Sequence, residues 1–139
     1  MEYTSTSSIA IPNVTPEQIW EALTNPEIVK QYFFGTTVES DWQVGSPITY
    51  SGVWENKPYE DKGTVLEVEP KCKLVTSYWS AAFGPDTPEN RKTVTYEITP
   101  TDGGTILTIT QDNTDESSKK HSEKNWNMVL DELKKLLTK

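Results

Sequence analysis

Few side chains in this sequence suit acid–base, nucleophilic or metal chemistry. His121 is the one histidine and Cys72 the one cysteine, so any serine–histidine–aspartate triad, cysteine–histidine pair or zinc site would have to use them. His121 stands early in a helical pattern beside Lys119, Lys120 and Glu123, which is typical of a solvated helix residue. Cys72, at the start of a strand, is interpreted as an unreactive thiol although lysines flank it. We expect no metal and no cofactor.

The carboxylates are more numerous, but their spacing favours a solvated surface. Glu67 and Glu69 alternate onto one face of a strand and could imitate a catalytic pair. We predict instead that Leu66 and Val68 point inward, which places both glutamates on the outer face.

A second acidic group stands near the end of the last strand. Asp112, Asp115 and Glu116 lack the glycine and the distal glutamate of a calcium loop. They are interpreted as residues that cap the following helix.

Aromatic residues are the remaining candidates, with five Trp, six Tyr and three Phe. A buried phenol needs a hydrogen-bond partner, and ligand pockets are apolar with a few polar groups, so inward tyrosines suit a pocket as well as a core. The residues predicted to point inward are Tyr50, Trp54, Tyr78, Tyr96 and Met128.

The first 35 residues predict a strand and two short helices. Residues 2–11 alternate, and Thr15, Pro16 and Gln18 then form a capping box with proline at the first helical position. Asn25 repeats the start signal, and the second helix ends at Gly35.

The rest of the chain predicts a meandering sheet followed by a long helix. Apolar residues return to a helical period after Thr114, on one face formed by Trp126, Val129, Leu130, Leu133, Leu136 and Leu137. Before it, β-forming stretches and turn residues predict six strands, at 36–42, 46–55, 59–69, 72–80, 91–99 and 104–111.

These elements predict an α+β fold with a curved sheet. Seven antiparallel strands make a sheet roughly 29 Å wide, whereas one helix covers about 10–12 Å. The sheet must therefore curl around the C-terminal helix, while the two short helices close one end. A helix and a curved sheet rarely fill the space between them, so we expect an internal cavity.

Length indicates the number of domains, and net charge indicates which kinds of partner are disfavoured. The 139 residues suggest one domain over 1–139, and 13 basic against 21 acidic side chains give a net charge of -8. This charge opposes binding to nucleic acid or anionic membranes. No stretch approaches the ~20 apolar residues that span a bilayer, and we expect a cytoplasmic protein without membrane insertion.

Several segments resemble a known family. The run from Ile11 to Glu27, IPNVTPEQIWEALTNPE, resembles the opening of the START-like (SRPBCC) superfamily, in its branch named for the activator of the heat shock protein 90 ATPase. The segments GTVLEVEP at 63–70, VTYEI at 94–98 and GTILTI at 104–109 are similar to its later strands. The resemblance implies a helix-grip fold, often with a hydrophobic cavity.

The same resemblance leaves three functions open. Relatives are similar to carriers of apolar molecules, to co-chaperones and to polyketide cyclases or dehydratases. The leading hypothesis is a non-enzymatic protein that binds a small apolar or amphipathic molecule; it requires a cavity larger than a water molecule. The alternatives are a module that interacts with a heat shock protein 90 chaperone and a cofactor-free cyclase or dehydratase. The enzyme alternative requires an inward-facing aspartate or glutamate with a raised pKa. The predicted ligand-binding residues are Trp20, Phe33, Tyr50, Trp54, Tyr78, Tyr96, Asn125 and Met128.

Overall fold

The computed structural model describes residues 3–33, 35–80, 84–113 and 115–138. Its helices and strands follow the predicted order, and a short 3₁₀ turn at Pro88–Asn90 precedes the sixth strand. Their bounds are β1 Ser5–Pro12, α1 Pro16–Thr24, α2 Pro26–Tyr32, β2 Thr37–Glu39, β3 Pro47–Trp54, β4 Lys57–Glu69, β5 Lys73–Trp79, β6 Lys92–Thr101, β7 Gly104–Gln111 and α3 Glu116–Leu137.

The strands form one antiparallel sheet in the order β1-β7-β6-β5-β4-β3-β2. The sheet is curved and α3 packs along β1, so the predicted α+β, helix-grip fold is confirmed. The face of the sheet toward α3 is called the inner face below. The stripe predicted on α3 also faces it, because Val129, Leu130 and Leu133 are buried and Trp126 packs against the core.

The two short helices begin where capping chemistry predicts. The Gln18 backbone N–H donates to Thr15 Oγ1 over 3.2 Å, and the Thr15 N–H donates to Gln18 Oε1 over 2.9 Å. Two of the otherwise unpaired amides at the helix start are thereby satisfied. Asn25 ends α1 and caps α2 by accepting from the Glu27 N–H, so α2 follows α1 without a loop.

Two strand boundaries differ from the prediction. β2 covers only Thr37–Glu39 rather than 36–42, and Trp42 has a φ of 59°, which a strand cannot accommodate. The turn between β3 and β4 consists of Glu55 and Asn56, both with positive φ, as a two-residue hairpin turn requires. The predicted turn residues Lys57 and Pro58 therefore belong to β4.

A β-bulge in β4 changes which of its residues point inward. The pairing with β5 shifts between Val65 and Glu67, so the intervening Leu66 has no partner in the ladder. Leu66 is 46% exposed, whereas Val65 is fully buried and Val68 packs against the core. The prediction that Leu66 points inward is therefore wrong, because the extra residue lets the face change between Val65 and Val68.

The core lies between the inner face and the three helices. The largest fully buried apolar side chains are Ile11, Ile19, Ile48, Leu74, Leu107, Ile109, Leu130 and Leu133.

None of the helices in the described part of the chain combines the length and the apolar character needed to span a bilayer.

Candidate functional site

The inner face is built by alternation of side chains along the strands, which the bulge in β4 interrupts. On β7, for example, Thr105, Leu107, Ile109 and Gln111 are buried and the residues between them are not. The same alternation carries tyrosines onto this face. They come from β3, β4, β5 and β6 and are Tyr50, Tyr59, Tyr78 and Tyr96.

A cavity of about 30 Å³ lies between the inner face and α3. It is lined by apolar and aromatic side chains, including Tyr32, Phe33, Tyr50, Tyr96 and Trp126. Pockets for drug-sized ligands measure about 300–1,000 Å³, and about 30 Å³ is the space of a water molecule in the liquid. In this conformation the cavity therefore does not meet the requirement for one larger than a water molecule, because aromatic rings fill the space.

Three of these rings form a chain across the cavity. Trp126 of α3 contacts Phe33 with ring centroids 5.9 Å apart and Tyr96 of β6 with centroids 6.0 Å apart, both edge to face. The indole N–H of Trp126 donates to Gln111 Oε1 over 2.8 Å. Trp126 is thus held by the sheet, while Phe33 stands at the end of α2.

A second aromatic contact continues from the cavity toward the end of the sheet. Tyr50, which lines the cavity, meets Tyr78 edge to face at 5.5 Å. The Tyr78 hydroxyl donates to Asp61 Oδ2 over 2.6 Å. Burial raises the pKa of both phenols, and for Tyr78 the bond to Asp61 adds to it, so both tyrosines keep their protons at neutral pH.

Asp61 is the site residue that the sequence analysis missed. It lies two residues before Gly63 and four before the buried Val65, so it shares their inner face. Alternation counted back from Leu66 and Val68 places Asp61 on the outer face, because the bulge is not visible in the pattern. The buried Val65 was the signal that could have placed it correctly.

Among the described residues, Ser7 and Thr76 have buried hydroxyls on the inner face without a hydrogen-bond partner. Thr76, 1% exposed, lies beside the Tyr50 hydroxyl, yet its own hydroxyl finds no partner within hydrogen-bond geometry. Among the described residues none bonds to the hydroxyl of Tyr96 either, whereas that of Tyr32 donates to the Ala22 carbonyl over 2.7 Å. An unpaired buried hydroxyl costs about 1–3 kcal/mol.

The predicted site residues separate into two groups. Phe33, Tyr50 and Tyr96 line the cavity, and Tyr78 adjoins it through Tyr50. Trp20 packs against the core away from the cavity.

Two of the remaining three predicted residues, Asn125 and Met128, do not reach the cavity lining. Asn125 is exposed and Met128 is 44% exposed, so the inward prediction for Met128 is wrong. Successive helix residues turn by about 100°, which sets Met128 opposite the stripe that contains Trp126 and Leu130. The side chain of Trp54 lies outside the described part of the chain.

The side chains considered for catalysis or metal binding do not converge. His121 and Cys72 are exposed, and Glu67 pairs with Lys73 at 3.5 Å. Asp115 caps α3 by accepting from the Ser118 N–H over 2.8 Å, as predicted. Among the described residues no three metal-ligating side chains cluster.

The outer face has a polar depression beside β5 and β6, and Arg91 is one of the residues that line it. Arg91 donates to both carboxylate oxygens of Asp86, to Thr64 Oγ1 and to Ser77 Oγ. The guanidinium hydrogen bonds hold the pKa of Asp86 below its usual range. Because Asp86 already neutralises this arginine, the depression is not a site for an anion.

Comparison with known proteins agrees with this architecture. The family model described as activator of Hsp90 ATPase homolog 1-like protein matches residues 13–138. No curated protein matches the chain.

Solved structures also agree with this architecture. The solution structure of ChR145 from Cytophaga hutchinsonii is 47% identical over 97% of this chain and 93% of its own, with a TM-score of 0.83.

More distant structures share the fold alone. MLL2253 from Mesorhizobium loti is 24% identical, with a TM-score of 0.81 over 97% of this chain and 96% of its own. DynU16, from the dynemicin biosynthetic locus, is 19% identical, with a TM-score of 0.81 over 97% of this chain and 47% of its own. The match over residues 13–138 and the similarity to ChR145 show that this chain belongs to the family of activator of Hsp90 ATPase homolog 1-like proteins.

Proposed function

We propose that the protein binds a small apolar or amphipathic molecule between the inner face and α3. The observation that carries this proposal is the combination of an apolar and aromatic lining with unpaired hydroxyls on the inner face. Tyr96 lines the cavity and its hydroxyl has no partner among the described residues, and the Thr76 hydroxyl is buried without one. A polar atom on a ligand would satisfy such a group and recover its desolvation cost.

Binding requires the aromatic rings that fill the cavity to move. Phe33 is suited to this movement because it stands at the C-terminal end of α2, and its contact with Trp126 is edge to face. Gly35, two residues later, has a φ of 79°, which few other residues adopt. A ligand therefore takes the place of the Phe33 ring while Trp126 stays bonded to Gln111.

The enzyme hypothesis gains an inward acid but not a mechanism. Asp61 places a carboxylate on the inner face, yet the Tyr78 proton is directed at Asp61 rather than at the cavity. The pair is arranged to hold a charge rather than to pass a proton to a ligand. The chaperone hypothesis depends on the family description alone.

Octanol, a neutral amphiphile, tests the proposal by NMR. We expect saturable shifts of the amides of Tyr96, Leu107 and Leu130 and of the Trp126 indole N–H. Shifts confined to exposed apolar residues such as Val44 and Val53 would contradict the proposal.

A matched pair of variants tests the movement of the ring. Phe33→Ala should raise the affinity for octanol, because the ring no longer has to be displaced. Trp20→Ala removes an aromatic side chain that packs on the core but does not line the cavity, so it should leave the affinity unchanged. Equal effects of the two substitutions would show that octanol does not bind beside Phe33.

A further inference from the structure

Tyr50, Asp61 and Tyr78 form a cluster at the solvent-accessible end of the inner face, which we name the acidic corner. Tyr50 lies directly opposite Asp61 in the β3–β4 register, and Tyr78 lies opposite Gly63 in the β4–β5 register. All three side chains are partly buried, so the corner is open to solvent while Tyr50 joins it to the cavity. The corner is thus a polar end of the proposed binding site.

The carboxylate of Asp61 has unused capacity to accept hydrogen bonds. Oδ2 accepts from Tyr78, whereas no donor reaches Oδ1 and no lysine or arginine pairs with Asp61 among the residues that the structure describes. The neighbouring Lys62 is exposed on the opposite face. Asp61 is therefore a partly buried carboxylate with no basic side chain beside it in the described part of the chain.

The nearest basic residue on the inner face does not supply this charge. Lys92 lies opposite Tyr78 in β6, and its charge acts on Asp115 at the start of α3. Asp61 and Lys92 are thus directed to different partners.

The two tyrosine rings add a second kind of attraction for a cation. They meet at an interplanar angle of 77°, so they form two walls at the carboxylate. The face of an aromatic ring carries negative potential and attracts ammonium groups, and a carboxylate beside such faces strengthens the attraction. The net charge of -8 raises the local concentration of cations around the protein.

We infer that the acidic corner receives the ammonium group of an amphipathic amine whose apolar part enters the cavity. This inference rests on the proposed function, which it deepens by naming the class of ligand. The ammonium donates to Asp61 Oδ1 and packs against the rings of Tyr50 and Tyr78.

Three probes of equal chain length separate the two proposals: octylammonium, octanol and octanoate. At neutral pH they carry a positive, a zero and a negative charge. We expect calorimetry to show octylammonium binding about tenfold tighter than octanol, as one carboxylate and two ring faces would provide, with octanoate weakest.

Asp61→Asn should lower the affinity for octylammonium to that for octanol. Glu60→Gln makes the same change of charge one residue away on the exposed outer face, so it should leave the preference for the cation intact. The wild-type complex gives a measurement that needs no variant: a nuclear Overhauser effect from the methylene beside the nitrogen to the rings of Tyr50 and Tyr78.

Each result bears on one proposal or both. Equal affinities for the three probes, equal effects of the two variants, or contacts of the nitrogen-bearing end with Leu130 instead would overturn the amine inference and leave the proposed function standing. Absence of binding by all three probes would overturn both.

Discussion

The two halves of the sheet bury their inner faces by different means. β1, β7 and β6, the covered half, lie under α3, which bonds to them through Ser122 to Ser5 and Trp126 to Gln111, both over 2.8 Å. β5, β4 and β3, the open half, receive no side-chain hydrogen bond from α3 in the described part of the chain. There Tyr50, Tyr59 and Tyr78 cover the inner face.

The difference follows from the sizes of the elements. One helix covers about 10–12 Å of a sheet that is more than twice as wide, so part of the inner face must be covered by its own side chains. Long aromatic residues do this without a second helix, and their rings can move where a helix cannot. The open half therefore contributes a side-chain ring, that of Tyr50, to a cavity that α3 and the covered half also line.

The strongest test of this comparison is removal of a contact between α3 and the inner face. Leu130 is 1% exposed, and Leu130→Ala should lower the free energy of unfolding by about 2–5 kcal/mol through lost burial and a new void. Met128→Ala, at a residue 44% exposed on the same helix, should cost about 0.5 kcal/mol or less. Denaturant unfolding measures both, and similar losses would mean that another face of α3 contacts the sheet.

The close approach of the β4 and β5 backbones at Gly63 allows a test of the open half. A Cβ on Gly63 would collide with the carbonyl oxygen of Ser77 in β5, so Gly63→Ala should cost about 1–3 kcal/mol and disturb the neighbouring Tyr78. Gly103→Ala provides the control, because nothing lies within 4 Å of its added Cβ. If chemical denaturation finds equal stabilities for the two variants, β4 and β5 are not in the register described.

Two threonines with opposite hydrogen-bond states compare the halves directly. Thr105 of the covered half donates to the Val14 carbonyl, so Thr105→Val should cost about 1 kcal/mol. The Thr76 hydroxyl of the open half has no partner, so Thr76→Val should raise stability by up to about 1 kcal/mol. Thermal unfolding measures the change in stability of both variants. A loss of stability in Thr76→Val would show that the Thr76 hydroxyl is hydrogen-bonded in solution.

The smallest expected effect concerns the start of α3. Hydrogen bonds from the Ser118 backbone and side chain lower the pKa of Asp115. A lowered folded-state pKa contributes stability that is present above about pH 4 and is lost as the pH falls through the folded value. The wild-type protein should therefore be slightly more stable to unfolding than Asp115→Asn at pH 7. This difference in stability should disappear in acid. A gap in the unfolding midpoint that stays constant down to pH 2 would contradict this account.

Local signals in the sequence were sufficient to predict the fold. The capping box at Thr15 and Gln18, the repeated start at Asn25 and the stripe through Leu130 all form as expected. Such signals depend on residues within one or two helical turns of one another, and the long-range pairing then follows from short connections.

The site was less predictable because it depends on which face a residue takes. One unpaired residue at Leu66 reverses the alternation and hides Asp61, while Phe33, Tyr50 and Tyr96 were found by residue type and alternation together. The filling of the cavity depends on ring positions across four elements, which no local pattern contains. Met128 shows the opposite case, since the helical period already places it away from the stripe.

The bulge at Leu66 also bears on how relatives should be aligned. A relative that lacks one residue here would keep every other residue of β4 and yet turn Glu60 and Lys62 inward and Asp61 outward. The charges on its inner face would change from one carboxylate to a mixed pair, although pairwise identity would scarcely fall. An alignment gap placed inside β4 is therefore more informative about specificity in this family than the percentage of matching residues.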